Sequence, residues 1–127
     1  MAVVFNITFN ARDPRGLVRF WSEVTGYPVA EQTDDLVRLR GPRLVGAPDL
    51  LVVRADVPSI SSSRVHLDLA TLDVGDEAAR LVALGATLVD GGSADTPTMR
   101  EANGIRWLVM CDPEGNEFCL GTSPDRG

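Results

Sequence analysis

The sequence predicts an α+β domain made of two tandem βαβββ modules. Three observations predict it. An alternating strand followed by an amphipathic helix opens the chain, and the same succession returns 60 residues later. The two copies superpose without a gap through the first strand: Phe5 on Val65, Asn6 on His66, Ile7 on Leu67, Phe9 on Leu69 and Asp13 on Asp73. Each copy then continues into further short β-rich segments separated by Gly, Pro and Asp. Self-similarity at a fixed offset is the signature of a duplicated supersecondary unit.

In module one, residues 2 to 10 alternate. Phe5, Ile7 and Phe9 point one way and Asn6, Thr8 and Asn10 the other, as in a half-buried strand. Asp13 followed by Pro14 is a helix start, with a side-chain acceptor at the N-cap and proline in the first turn. Leu17, Val18, Trp21 and Val24 form the apolar stripe, and Gly26 closes the helix. A strand begins at Val29. Leu36–Arg40 and Leu50–Ala55 read as further strands, separated by "GPRLVGAPD".

In module two, residues 64 to 70 alternate, with Val65, Leu67 and Leu69 opposite His66, Asp68 and Ala70. Asp73 caps a helix with the stripe Val74, Ala78, Leu81 and Val82, and Gly85 ends it. Thr87–Val89, Ile105–Cys111 and Glu117–Gly121 read as strands, the last two joined by the turn "DPEGN". Residues 91–104 form the longest irregular segment, a length at which loops are often functional. The whole of 1–127 is one domain, with module one at 1–58, a polar linker at 59–63 and module two at 64–123.

One helix per module should cover the apolar side of the sheet. The opposite side then carries Asn6, Thr8 and Asn10 from the first strand, His66 and Asp68 from its repeat, and Glu117 and Cys119 from the last strand. A polar inward face is more often a binding cleft than a core.

Composition narrows the function classes. Hydrophobic residues make up 44% and charged residues 24% of 127, ordinary for a globular protein. No apolar run is long enough to span a membrane. The opening residues lack the succession of a secretory leader, so a cytoplasmic setting is expected. Net charge is −6 with all 12 basic residues arginine, which argues against nucleic-acid partners. Cys111 and Cys119 are expected as thiols in a reducing compartment, and their spacing is not that of a zinc knuckle. Neither a phosphate-cradling glycine loop nor a dinucleotide fingerprint is present.

The duplicated plan, with "VHLDLATLD", "ALGAT" and "WLVMCDPEGNEFCL", resembles the vicinal oxygen chelate superfamily. That superfamily contains glyoxalase I, extradiol dioxygenases, fosfomycin-resistance enzymes and bleomycin-resistance proteins. The opening "ITFNARDPRGLVRFWSEVTGYPV" looks like its glyoxalase-like subgroup, and the likeness runs from about Phe5 to Leu120. The resemblance implies an eight-stranded incomplete barrel around a cleft, the glyoxalase/bleomycin-resistance/dioxygenase fold, and a homodimer. In metal-dependent members the first and last strand of each module supply His, Gln or Glu to a divalent ion, which acts as a Lewis acid on adjacent substrate oxygens.

Carried onto this chain, those four positions are Asn6, Val53 (to within about one residue), His66 and Cys119. Only His66 matches the usual ligand type. Hard ions such as Mg²⁺ would be poorly held, whereas His66 with a Cys119 thiolate could recruit Zn, Fe or Ni.

His66 is either a ligand contact or proton carrier, or a hydrogen-bonded bystander. Cys119 is either a nucleophile or metal ligand, or a small buried filler. Asp68 could orient the imidazole, but stands two residues along the strand, roughly 7 Å away by strand rise. Glu117 is either a cleft carboxylate acting as base or a brace for the turn. Trp107 is a candidate to line the cleft beside Asn6, Thr8 and Asp68, and Trp21 is core.

Three readings follow. The first is a small-molecule-binding protein that needs no cofactor. The second is a metal-dependent lyase, isomerase or dioxygenase-like enzyme with an atypical His/Cys ligand set, His66 and Cys119 with Glu117 or Asn6. The third is a dimer-forming module with a vestigial cleft.

Overall fold

A computed structural model describes residues 1–54, 64–102 and 104–122. The expected linker, 59–63, and the end of the strand placed at Leu50–Ala55 fall outside the described residues. Module one contributes β1 (Val3–Ala11), α1 (Pro14–Thr25), β2 (Val29–Gln32), β3 (Leu36–Leu39), a 3₁₀ turn (Arg43–Val45) and β4 (Asp49–Arg54). Module two contributes β5 (Val65–Thr71), α2 (Val74–Ala83), β6 (Thr87–Leu88), β7 (Arg100–Ala102), β8 (Ile105–Cys111) and β9 (Glu117–Thr122). The strands form one open sheet in the order β2-β3-β4-β1-β5-β9-β8-β6, with β7 on the same side of β8 as β6. The antiparallel pairing of β1 with β5 joins the modules. Within each module the first and last strands run parallel, β1 with β4 and β5 with β9.

The helix starts are local consequences of sequence. Asp13 accepts a hydrogen bond from the Gly16 amide at 3.1 Å, and Asp73 from the Asp76 amide at 2.9 Å. Gly26 ends α1 in the left-handed conformation at φ 72°. Two apolar clusters result, one per module. Under α1, Val18 packs with Ala11, Val37, Leu39, Leu50 and Val52, and Leu17, Trp21, Ile7 and Phe9 close around them. Trp21 stacks on Phe9 with ring centroids 5.4 Å apart. Under α2, Ala78 meets Leu108, Met110 and Leu120, flanked by Val74, Leu81, Leu69 and Phe118. Val24 and Val82, placed on the helix stripes by spacing, are exposed instead at 59% and 39%.

Two further expectations change. The segment 91–104 is not irregular throughout, because Arg100–Ala102 pairs antiparallel with Ile105–Trp107. β6 and β7 lie along one edge of β8, so the chain leaves that edge after Val89 and returns at Arg100. A bidentate pair pins the two ends of the excursion: Arg100 Nε and Nη2 donate to Asp90 at 2.7 and 2.9 Å. Such a fork holds the Asp90 carboxyl below its ordinary range. The second change is in β1, where a bulge between Val4 and Asn6 interrupts the alternation.

Candidate functional site

Opposite the helices, the sheet carries the polar face that alternation predicts, and its side chains form two groups. The first belongs to module one. Asn6 lies beside Asp49 in the β1–β4 register, and both are buried. Arg38 Nη1 donates to Asn6 Oδ1 at 2.7 Å and to Asp49 Oδ2 at 3.1 Å. Arg43 reaches the same carboxylate, with Nη1 2.6 Å from Oδ1, and the Gly41 amide donates to Oδ1 at 2.9 Å. Burial alone would push the Asp49 carboxyl up. The Arg43, Gly41 and Arg38 hydrogen bonds outweigh it and bring the group from an ordinary 3.8 down to about 2.

The second group sits where the modules join. Thr8 pairs with His66 across β1 and β5, and Asp68 with Cys119 across β5 and β9. Thr8 Oγ1 donates to Asp68 Oδ2 at 2.5 Å. Asp68 Oδ1 stands 3.3 Å from His66 Nε2. Strand rise separates the two Cα atoms, but both side chains lean over the same face and close the gap. One donor atom each from His66, Asp68 and Cys119 all lie within 4.8 Å of one another. His66 is 4% exposed and Cys119 7%. His66 Nδ1 is buried with no hydrogen-bond partner among the described residues.

The thiol chemistry follows from this setting. Burial, reinforced by the Asp68 charge, pushes the Cys119 thiol well above its ordinary range. Cys119 is therefore a neutral thiol in the metal-free protein at neutral pH, the opposite of the activated thiolate that nucleophilic catalysis needs.

The other sequence-predicted residues are spread along the face. Trp107 lies on β8 opposite Gly121 and Arg100, half-buried, and outside the core formed by Leu108 and Met110. Glu117 begins β9 across from Cys111, also half-buried. Its position matches that of Asp49 at the start of β4.

Register corrects the second of the compared positions, Val53. Thr8 lies beside Leu51 on β4, and its counterpart Asp68 lies beside Cys119 on β9. The equivalent of Cys119 is thus Leu51, not Val53. A chelate drawn from both modules would need donors at Asn6 and Leu51. Leu51 has none, and the Asn6 carbonyl oxygen already accepts from Arg38. The residues present do not fit that chelate.

Asp49 is the residue that reading the sequence missed. Aligning "APDLLVV" on "GNEFCLG" would have revealed it, since Leu50 and Val52 are buried in one core and Phe118 and Leu120 pack in the other. The offset needed is 68 rather than 60, because the chain between β6 and β8 is longer than that between β2 and β3 while the turn from β8 to β9 is shorter than the segment from β3 to β4.

Residues 6–121 match a family model described as the glyoxalase-like domain. No curated protein matches the chain. Among solved structures, similarity extends to a glyoxalase/bleomycin resistance protein/dioxygenase superfamily member from Vibrio splendidus, at 16% identity and TM-score 0.61, covering 96% of this chain and 98% of that one. A variant of Streptomyces coelicolor methylmalonyl-CoA epimerase bound to 2-nitronate-propionyl-CoA gives 17% identity and TM-score 0.65, over 97% and 95%. A Legionella pneumophila protein described as an NAD-dependent benzaldehyde dehydrogenase gives 8% identity and TM-score 0.69, over 94% and 98%. At these identities the structural likeness concerns the fold alone. With the family model spanning nearly the whole chain, this protein belongs to the glyoxalase-like domain family.

Proposed function

We propose that this protein binds a small organic molecule on the polar face between its two modules, without the divalent chelate that draws on both modules. The observation that carries this reading is the buried His66 imidazole. Its Nδ1 has no partner among the described residues, in a setting where neighbouring Thr8 and Asp68 are paired. Buried polar atoms in folded proteins are nearly always hydrogen-bonded, so an unpartnered one beside a polar cluster is a ligand contact in waiting. Trp107 supplies an aromatic surface on the same face. Asn6 has a different role here: with Asp49 and the two arginines it braces module one.

His66 is the only histidine, so its imidazole gives a single, unambiguous NMR signal. A fragment panel titrated into metal-stripped protein should contain compounds that shift this signal saturably and quench Trp107 fluorescence in parallel. A panel in which no compound moves the His66 signal saturably would refute the reading.

Self-association belongs to the same proposal. Val4, Val65 and Leu67 lie where β1 meets β5 and remain 41%, 51% and 43% exposed, which supports a homodimer through the uncovered centre of the sheet. Light scattering on the purified chain tests it: a monomer mass across micromolar concentrations counts against it.

A further inference from the structure

We infer that the organic ligand of the polar face presents a hydrogen-bond donor, an uncharged hydroxyl or N–H group, to His66 Nδ1, and that Thr8 and Asp68 select it by fixing the imidazole tautomer. This rests on the organic-ligand reading and adds the chemical class of the ligand.

The chain of contacts starts at Thr8. Thr8 stands opposite His66 in the β1–β5 ladder, yet its one hydroxyl proton goes to Asp68 Oδ2. Asp68 Oδ1 is left facing His66, 3.3 Å from Nε2. An ionised carboxylate can only accept. The single proton of a neutral imidazole therefore belongs on Nε2, since the other tautomer would aim a lone pair at a negative oxygen in a buried setting. Nδ1 becomes the acceptor, with no proton to give.

No protein donor meets that acceptor among the described residues. Nδ1 is buried and has no hydrogen-bond partner there. Thr8, the hydroxyl across the ladder, is already committed to Asp68. A buried lone pair left in this way costs stability until a donor reaches it.

Charge narrows the class further. The Asp68 carboxylate stands beside the same ring, and Glu117 begins the strand that carries Cys119. The Arg100 guanidinium, on the strand paired with Trp107, is occupied by Asp90. A ligand carboxylate or phosphate at Nδ1 would meet a lone pair close to a negative charge and would bring no proton. An ether or ketone oxygen would set acceptor against acceptor. Alcohols and N–H heterocycles carry the proton and stay uncharged.

Heteronuclear NMR of the nitrogens of the one histidine, in the metal-stripped full chain, tests this inference. The resting spectrum should show the proton on Nε2 and a bare Nδ1. Benzyl alcohol and indole should shift the Nδ1 resonance saturably. Benzyl methyl ether, N-methylindole and benzoate should bind on the order of 10- to 100-fold more weakly. Asp68→Asn removes the charged acceptor and should narrow the alcohol-to-ether ratio, while Thr8→Val keeps the carboxylate and should narrow it less. Thermal unfolding of each variant confirms that it is folded. A resting proton on Nδ1, or on both nitrogens, overturns the inference whatever binds. So does a ratio unchanged in folded Asp68→Asn. Methyl derivatives or benzoate that bind as tightly as the donors overturn this inference alone and leave the organic-ligand reading standing, whereas no saturable shift from any compound removes both.

Discussion

Replacing Asp49 by Asn keeps the size of the side chain and removes its charge. The carboxylate is 3% exposed and holds two guanidinium groups and a backbone amide. Lowering its pKa from 3.8 to about 2 corresponds to roughly 2 kcal/mol of folded-state preference for the ionised form, at about 1.4 kcal/mol per pKa unit. Solvent screening takes little from this figure, because Asp49 is buried even though Arg38 and Arg43 are 25% and 37% exposed. The folded pKa is depressed, so the contribution is fully present above the unfolded value near 3.8 and is lost as pH falls through about 2. Urea unfolding at pH 7 should therefore show Asp49→Asn less stable by about 2 kcal/mol. Repeated at pH steps down to 2, the gap between wild type and variant should close. A loss under about 0.5 kcal/mol at pH 7 would refute the charge argument. So would a loss that stays constant down to pH 2, because that would locate the effect in packing.

Three more outcomes follow from the same structure. Gly41→Ala should destabilise by more than about 2 kcal/mol, because a Cβ there would lie 2.3 Å from the Pro48 carbonyl oxygen, whereas Gly46→Ala, with open space around a φ of 69°, should cost only about 1 kcal/mol; paired urea melts compare them. Cys119 should resist alkylation by iodoacetamide at pH 8 in the folded, metal-free chain and react once urea unfolds it, with peptide mass spectrometry separating it from Cys111. Thr8→Val removes the hydrogen bond to Asp68 and should cost about 1–2 kcal/mol by denaturant unfolding; an Asp68→Asn background should shrink that cost if the two residues act as a pair.

Which residues line the polar face could be read with little error from the sequence. Asn6, Thr8, His66, Asp68 and Cys119 all lie on that face, because alternation along a strand is a property of consecutive residues. What they touch could not be read. Counting strand rise puts Asp68 too far from His66, since rise measures backbone separation and not the lean of two side chains over one face. Asp49 ends a segment that reads as a connector, and its importance depends on Arg38 from β3 and Arg43 from a 3₁₀ turn. Val53 stands two residues beyond Leu51, the position that register equates with Cys119, because connections of unequal length between the strands hide the register.

By itself, the sequence determined the duplicated βαβββ plan, the helix caps at Asp13 and Asp73, and the division of each strand into an apolar and a polar side. These rest on short-range periodicity and on side chains that bond to their own backbone. Only the tertiary structure decided the register of β4 and β9 against β1 and β5. Register depends on loop lengths, on the bulge in β1 and on packing between segments distant in the chain. That register placed Asp49 between two arginines, put Leu51 where a donor would be needed, and brought Thr8, His66, Asp68 and Cys119 together at the junction of the modules.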